Sequence, residues 1–331
     1  GDINNETFNQ FTGTELQGQT QIGQTATIAA RNDLSLDAGG DITNLGAELS
    51  AGNDASLNAD GDITFDTIED RTTTYEQSST ATSFSSTSTD SRVQVRSGLT
   101  VGGDLASTSG GDTTLAGTVV NVEGDADIQT GGDLNVIARE NSFSSESQSV
   151  SGGLFQGGGL LSMTETTQTN ESIRNVASEL NIGGNASIDS EGDVLIQGSD
   201  IQVGGDASID ANSLTVLQGR DQDTSKTETS TTTIGVSVES IDNVDGSTST
   251  GVSFASTSTE TTESLSLRAR GSQLGIGGNL TVNTDEDVTL QGSEIDVAGN
   301  VDIDAENISL LAAQNIERTE TSKTEVKLGL F

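Results

Sequence analysis

Apolar residues recur in pairs at i and i+2 along most of the chain, and the pattern is clearest from Leu99 to Val136. Leu99/Val101, Thr113/Leu115, Val120/Val122, Ala126/Ile128 and Leu134/Val136 alternate with polar residues, separated by Gly-Asp or Gly-Gly-Asp turns. A period of two marks strands with one face inward and the other in solvent. Val101 and Val122, Leu105 and Ala126, and Leu115 and Val136 each stand 21 residues apart. A fixed period of about twenty residues, built from three short strands, predicts a solenoid whose coils stack on one another. The expected fold is all-β: a parallel β-helix with three strands per coil. A glycine after each strand is expected to supply the positive φ of a sharp corner.

The same register marks coil blocks at residues 1–66, 98–137, 179–217 and 272–313. Ala26/Ile28 and Leu34/Leu36 recur as Ala47/Leu49 and Ala55/Leu57, and Ile188 recurs as Ile209, which places both isoleucines inward. Phe8 and Phe11 find no place in this register. Gly1-Asp2-Ile3 already reads as a coil turn, so the chain is expected to be a piece of a longer repeat array.

Between the blocks lie Ser/Thr-rich inserts at residues 67–97, 138–178 and 218–271, and a fourth begins at residues 314–331. Polar tracts of this kind often form disordered linkers. Their position argues for order. Inside a block the third strand runs into the next coil through Leu115-Ala116-Gly117-Thr118 or Ile196-Gln197-Gly198-Ser199. Leu217-Gln218-Gly219 starts the same corner and Ser272-Gln273-Leu274 completes it, so every insert leaves from one edge. Thr-rich alternation favours strands, and Gly152-Gly153, Gly157-Gly158-Gly159 and Asn243-Val244-Asp245-Gly246 are turn candidates. Each insert reads as a long antiparallel hairpin projecting from one corner at every second coil. Two coils rise about 9–10 Å, which is also the width of a hairpin, so successive hairpins can line up edge to edge as a second sheet.

Composition narrows the chemistry. The 331 residues contain 40 glycines and no proline, cysteine, histidine or tryptophan. Imidazole and thiol nucleophiles, disulfides and the usual zinc sites are therefore excluded. Thirteen basic against 51 acidic residues give a net charge of −38, which argues against nucleic-acid partners. Acids are spread over the turns rather than converging on a groove, so no catalytic residue, metal site or cofactor is expected, and the chain is read as a non-enzyme. Gly-Gly-Asp invites a calcium reading, but shared-ion loops need tandem nine-residue units, whereas this interval is 21. Asp and Asn stacked at a corner instead cap backbone amides. No apolar run approaches the roughly 18 residues of a membrane-spanning helix, and no signal peptide opens the chain.

Twelve of the thirteen basic residues lie in or at the roots of inserts, and Arg31 alone sits within a coil. They could form an anion- or receptor-binding edge. The simpler reading is cross-strand pairing at the hairpin base with Glu69, Asp70, Glu140, Glu171 and Asp221, worth about 0.2–1 kcal/mol per pair. Candidate interaction residues in the inserts are Tyr75, Phe84, Phe143, Phe155, Ile234, Val236, Val238 and Phe254. Outer-membrane strands alternate over about ten residues, longer than the row from Ile234 to Val238, so that row is expected to pack on the helix.

The blocks, with Gly-Gly-Asp-Leu-Asn-Val, Gly-Gly-Asp-Thr-Thr-Leu-Ala-Gly-Thr and Ser/Thr-rich inserts, resemble the haemagglutinin repeats of large two-partner-secreted exoproteins. Within that group the chain looks most like the toxin-proximal repeats of contact-dependent growth inhibition effectors, related to filamentous haemagglutinin. The resemblance covers nearly the whole chain and implies a right-handed β-helix filament, secreted to the cell surface of a Gram-negative bacterium. The implied partners are an outer-membrane secretion protein, engaged through an N-terminal domain outside this chain, and the outer membrane or a receptor of a target cell. In the growth-inhibition branch the region implies help in carrying a C-terminal toxin across that membrane. The alternative is a passive stalk or adhesive segment of an adhesin.

Overall fold

Each 21-residue interval becomes a rung of parallel backbone pairing. Leu99 lies against Val120, Leu105 against Ala126 and Leu115 against Val136. The computed structural model describes residues 1–155, 159–242 and 248–330, and every element among them is a strand. One coil contributes Gly98–Val101 to a first parallel sheet, Leu105–Ser109 to a second and Thr113–Ala116 to a third. Stacking of the coils builds sheets of eight, eight and nine strands among the described residues, a right-handed parallel β-helix.

The inward rows fill the helix. Leu49, Leu99, Val120, Leu180, Ile201 and Leu274 form one buried column, and Leu57, Ile128, Ile188, Ile209 and Val282 another. Burying each such side chain contributes about 1.5–3 kcal/mol.

Two of the three corners are held by stacked side-chain oxygens. Between the first and second sheets, the Oδ1 of each Asp or Asn accepts the backbone N–H of its counterpart in the next coil. Asp104 N–H reaches Asp54 at 2.9 Å, Asp125 reaches Asp104 at 2.9 Å and Asn185 reaches Asp125 at 2.6 Å. The ladder continues through Asp206, Asn279 and Asn300. A second ladder, Asp41, Asp62, Asp112, Asp133 and Asp193, runs between the second and third sheets. The turn carboxylates are thus engaged in capping amides.

These turns correct the expectation about glycine. The glycines of the Gly-Gly-Asp turns do not adopt positive φ. They are there for close stacking, since a Cβ at Gly103 would lie 2.2 Å from Asp54 Oδ1. Left-handed glycine belongs to the third corner, between the third sheet and the first. Gly117 (φ +57) and Gly198 (φ +58) turn the chain directly into the next coil, as their equivalents Gly46 and Gly292 do. At the alternate corners a hairpin leaves instead.

From Ser97 to Ser272 both kinds of corner end on a buried Ser or Thr hydroxyl, whereas the earlier Gly46 corner ends on the buried Ala47. Ser97, Ser178 and Ser272 receive the chain back from hairpins, whereas Thr118 and Ser199 follow corner glycines. Ser97 Oγ and Thr118 Oγ1 are 2.9 Å apart, and Ser178 Oγ accepts the Thr118 N–H at 3.2 Å. Ser199 Oγ accepts the Ser178 N–H at 3.2 Å, and Ser272 Oγ the Ser199 N–H at 3.1 Å. This hydroxyl ladder lets the rod continue unchanged past hairpins two, three and four.

The excursions form a nine-stranded antiparallel sheet. Hairpin one is short, Asn9–Gly13 with Gly18–Ile22. It places Phe11 and breaks the stretch read from sequence as coil. Hairpin two is Ile68–Ser79 with Ser83–Val95, and hairpin three is Arg139–Leu154 with Leu161–Val176. Hairpin four is Gly219–Asp242 with Thr248–Arg270, and Ile316–Leu330 follows it. Gly152 and Gly153 lie within a strand rather than at a turn. The candidates Gly157-Gly158 and Asn243 to Gly246 lie outside the described residues.

Ile188 and Ile209 are 4% and 2% exposed and paired across one rung. Ile188→Asp or Ile209→Asp is therefore expected to cost several kcal/mol, about 3 or more, because the core offers an isolated carboxylate no partner. Urea unfolding followed by circular dichroism checks this; an unchanged midpoint would refute the inward register.

Candidate functional site: the hairpin sheet

Backbone pairing joins each hairpin to the next. Ser83 to Arg92 pair with Ser151 to Ser142, Leu161 to Ile173 with Ile234 to Gln222, and Val252 to Leu267 with Leu330 to Ile316. Residues paired directly share a face, so the register divides the sheet into two faces. One carries mostly hydroxyls over its middle: Ser85, Thr87 and Thr89, then Ser145 and Ser147, Thr164 and Thr166, Thr229 and Thr231. Cross-strand hydroxyls meet there, Thr164 with Thr231 and Thr166 with Thr229 at 3.3 Å, and Thr74 with Thr89 at 2.6 Å. Such pairs each contribute a few tenths of a kcal/mol, about 0.2–1, which matters in a single layer with no core.

The opposite face has a different distal end. Leu154, Leu161, Ile234, Ala255 and Leu328 form one register row across the strands. Met163 and Val326 stand in the row below it, and Phe84 with Val150 in the next. Leu154 is 71% exposed, Ile234 48% and Leu328 71%. The expectation that the row from Ile234 to Val238 packs on the helix is therefore overturned. The tips stand beyond the rod, and a one-layer sheet gives them nothing to pack against.

The structure brings some of the candidate residues together and separates others. Phe84 and Ile234 share the apolar-tipped face, and Val238 follows beyond a bulge between Ile234 and Ser237. Val236 and Phe254 lie at that irregularity, both exposed. Phe155 sits in the turn after Leu154 with φ 60. Tyr75 stands two rows nearer the rod than Phe84, and Phe143 is on the hydroxyl face. Sequence reading passed over Leu154, Leu160, Leu161 and Met163, and also Val326, Leu328 and Leu330. The alternations Leu161-x-Met163 and Val326-x-Leu328-x-Leu330 carry the signal that finds them.

Most of the ion pairs cross strands, largely to acids other than those adjacent in sequence, while Arg318 with Glu320 and Lys327 with Glu325 pair along one strand. Arg139 binds Asp66, Arg174 binds Asp223 at 2.7 Å, and Arg96 binds Glu179 at 2.8 Å. Arg92 with Glu69, at 3.6 Å, is the pair that the sequence named. Arg96 also donates to the carbonyl oxygens of Gly117, Thr118 and Ala177, which ties one hairpin root to the next corner. Arg71 reaches Asp90 at 2.9 Å and Glu15 at 2.5 Å, with its guanidinium 4.9 Å from the Phe11 ring centre. That cluster fastens the turn of hairpin one to hairpin two. The hydrogen bonds from Arg71 hold the Glu15 and Asp90 carboxyls below their ordinary range.

The Hemagglutinin repeat family model matches four times, over residues 9–82, 79–162, 161–255 and 252–330. The chain belongs to the hemagglutinin-repeat family. Comparison with curated proteins and with solved structures finds no match. Two repeat boundaries fall at the tips of hairpins two and three and the third just past the turn of hairpin four, so one repeat corresponds roughly to a returning strand, two coils and a departing strand. The family is structural and adhesin-like rather than enzymatic, and membership suggests a filament segment of a secreted or surface-exposed protein.

A carboxylate with a depressed folded pKa stabilises above its unfolded pKa, and that contribution is lost as pH falls through the folded value. The attachment of hairpin one through Arg71 is thus expected to be complete at neutral pH and to weaken below about pH 4. Amide hydrogen exchange at Gly18 and Gln19, whose strand pairs with Thr73 and Thr72, reads this. Arg71→Gln should lower the protection of these amides, taken against the intrinsic exchange rate at each pH, at neutral pH and abolish its further loss in acid. A loss of protection in acid unchanged in Arg71→Gln would refute the role of the cluster.

Proposed function

We propose that this hemagglutinin-repeat segment serves a contact-dependent growth inhibition effector, helping to carry a C-terminal toxin across the outer membrane of a target cell. The observation that supports this reading most is the exposed apolar end of a sheet that stands away from the rod. A passive stalk needs only the ladder-locked coils. Here the hairpin strands lengthen along the chain, from Gly18–Ile22 through Ile68–Ser79 and Arg139–Leu154 to Gly219–Asp242. At about 3.3 Å per residue the longest reaches roughly 80 Å along its axis. Large exposed apolar patches mark interaction sites with proteins or membranes. The rod then sets the spacing of the hairpins, and the hairpins make the contact.

The test replaces residues 219–271 in the complete exoprotein by a direct glycine corner like that at Gly198. Secretion and surface display are expected to persist, while toxin delivery falls at least about tenfold. Delivery at the normal rate, with display confirmed by antibody binding to intact cells, would overturn the proposal in favour of a stalk.

A further inference from the structure

The tips of hairpins two and three enclose a depression of about 460 Å³. Its floor is apolar, formed by Phe84, Val150, Leu154, Leu161 and Met163, and the turn from Thr80 to Ser83 closes one side. It opens on the apolar-tipped face. Directly toward the rod, on the same face, stands an acidic belt. Glu165 is one row, about 7 Å, below Met163 on its own strand. Glu228 lies in the next row on the neighbouring strand, and Glu146 and Glu263 lie in the row after that. The one lysine among them, Lys226, is paired with Glu263 at 3.0 Å.

We propose that this depression is a docking socket for a protein partner that presents apolar side chains rimmed by lysine or arginine. Charge complementarity selects that occupant. A second copy of the chain would bring its own acidic belt against this one, on a molecule of net charge −38. An anionic lipid surface would meet the same repulsion, and burying the tip in a bilayer would carry Glu165 and the hydroxyls of the opposite face with it. A basic-rimmed apolar surface satisfies both parts at once: the socket takes the apolar side chains, and the belt steers and registers the rim. The proposal names a class of partner and stands independently of toxin delivery.

The test uses the full chain and a labelled amphipathic helical peptide of leucine and lysine, with a peptide of the same composition in scrambled order as control. Fluorescence anisotropy at about physiological salt, where the Debye length is about 8 Å, reads the affinity. The amphipathic peptide is expected to bind and the scrambled one to bind at least tenfold more weakly. Leu161→Ser with Met163→Ser should weaken binding at least about tenfold, equivalent to about 1.4 kcal/mol. Both side chains are exposed, so circular dichroism and melting should match the parent protein. Glu165→Gln with Glu228→Gln should weaken binding several-fold and flatten its salt dependence. Asp127→Asn with Asp189→Asn, on an outward face of the rod, should leave it unchanged. Equal binding of the scrambled peptide, or an equal loss from the rod variant, would reduce the effect to net charge and overturn the socket. So would unchanged affinity in the Leu161/Met163 variant. Flotation of the protein with vesicles of phosphatidylcholine and phosphatidylglycerol, lost in that variant, would assign the tip to a bilayer instead. Self-association in sedimentation, lost in the same variant, would assign it to a second copy.

Discussion

Strand spacing is the constraint on which the rest of the structure depends. Stacked coils and neighbouring hairpin strands share the same backbone hydrogen-bond distance, about 4.8 Å. A hairpin leaving every second coil therefore supplies two strands per two-coil rise, and the second sheet closes without gap or crowding. A hairpin at every coil would supply twice the strands that the rise accommodates. The third corner makes the alternation mechanically simple. From Ser97 onward a left-handed glycine and a hairpin root are interchangeable there because both deliver the chain to a Ser or Thr at the same position, as at Thr118 and Ser178.

The acidic balance is compatible with this rod because most turn acids are already committed. Stacked carboxylates one coil apart repel, yet they accept charge-assisted hydrogen bonds from amides of the coil beside them, which offset the repulsion. At the first corner Asn185, Asn279 and Asn300 replace aspartate while keeping the Oδ1 acceptor, so the capping geometry survives with less repulsion. Basic residues are absent from these ladders and concentrate where strands of different hairpins must find one another.

The coil register was legible in the sequence because its signal is repeated: Leu105 to Ala126 and Ile188 to Ile209 appear as intervals before they appear as rungs. The shared exit corner was legible for the same reason. Hairpin one was not, because two five-residue strands rich in Gln and Thr differ little from coil strands, and Phe11 declares itself only beside Arg71. The ion pairs were misjudged because proximity in sequence stood in for proximity in the sheet. Asp90 and Asp223 are cross-strand neighbours of their arginines, and Asp66 belongs to a preceding coil. The apolar tips were expected on the rod because a lone hairpin needs a surface to cover it; a sheet of nine strands, tethered along its base, does not.

That tether also explains where the sheet gives way. Near the rod every strand except the edge strands Asn9–Gly13 and Ile316–Leu330 has a neighbour on each side, and hairpins two, three and four return onto the hydroxyl ladder. The support ends where hairpin three ends, at the pairing of Leu161 with Ile234, and hairpin four continues past it. The register shifts between Ile234 and Ser237, and between Ser253 and Ala255, fall at this boundary. A bulge adds twist and re-aims side chains where regular pairing stops. Beyond it the strands of hairpin four have lost the hairpin three strand as a neighbour, and Val236 and Val238 stand exposed. The distal end of the sheet, where Leu154, Leu161, Met163 and Ile234 stand exposed, is thus the part to which a covering partner offers the most apolar burial.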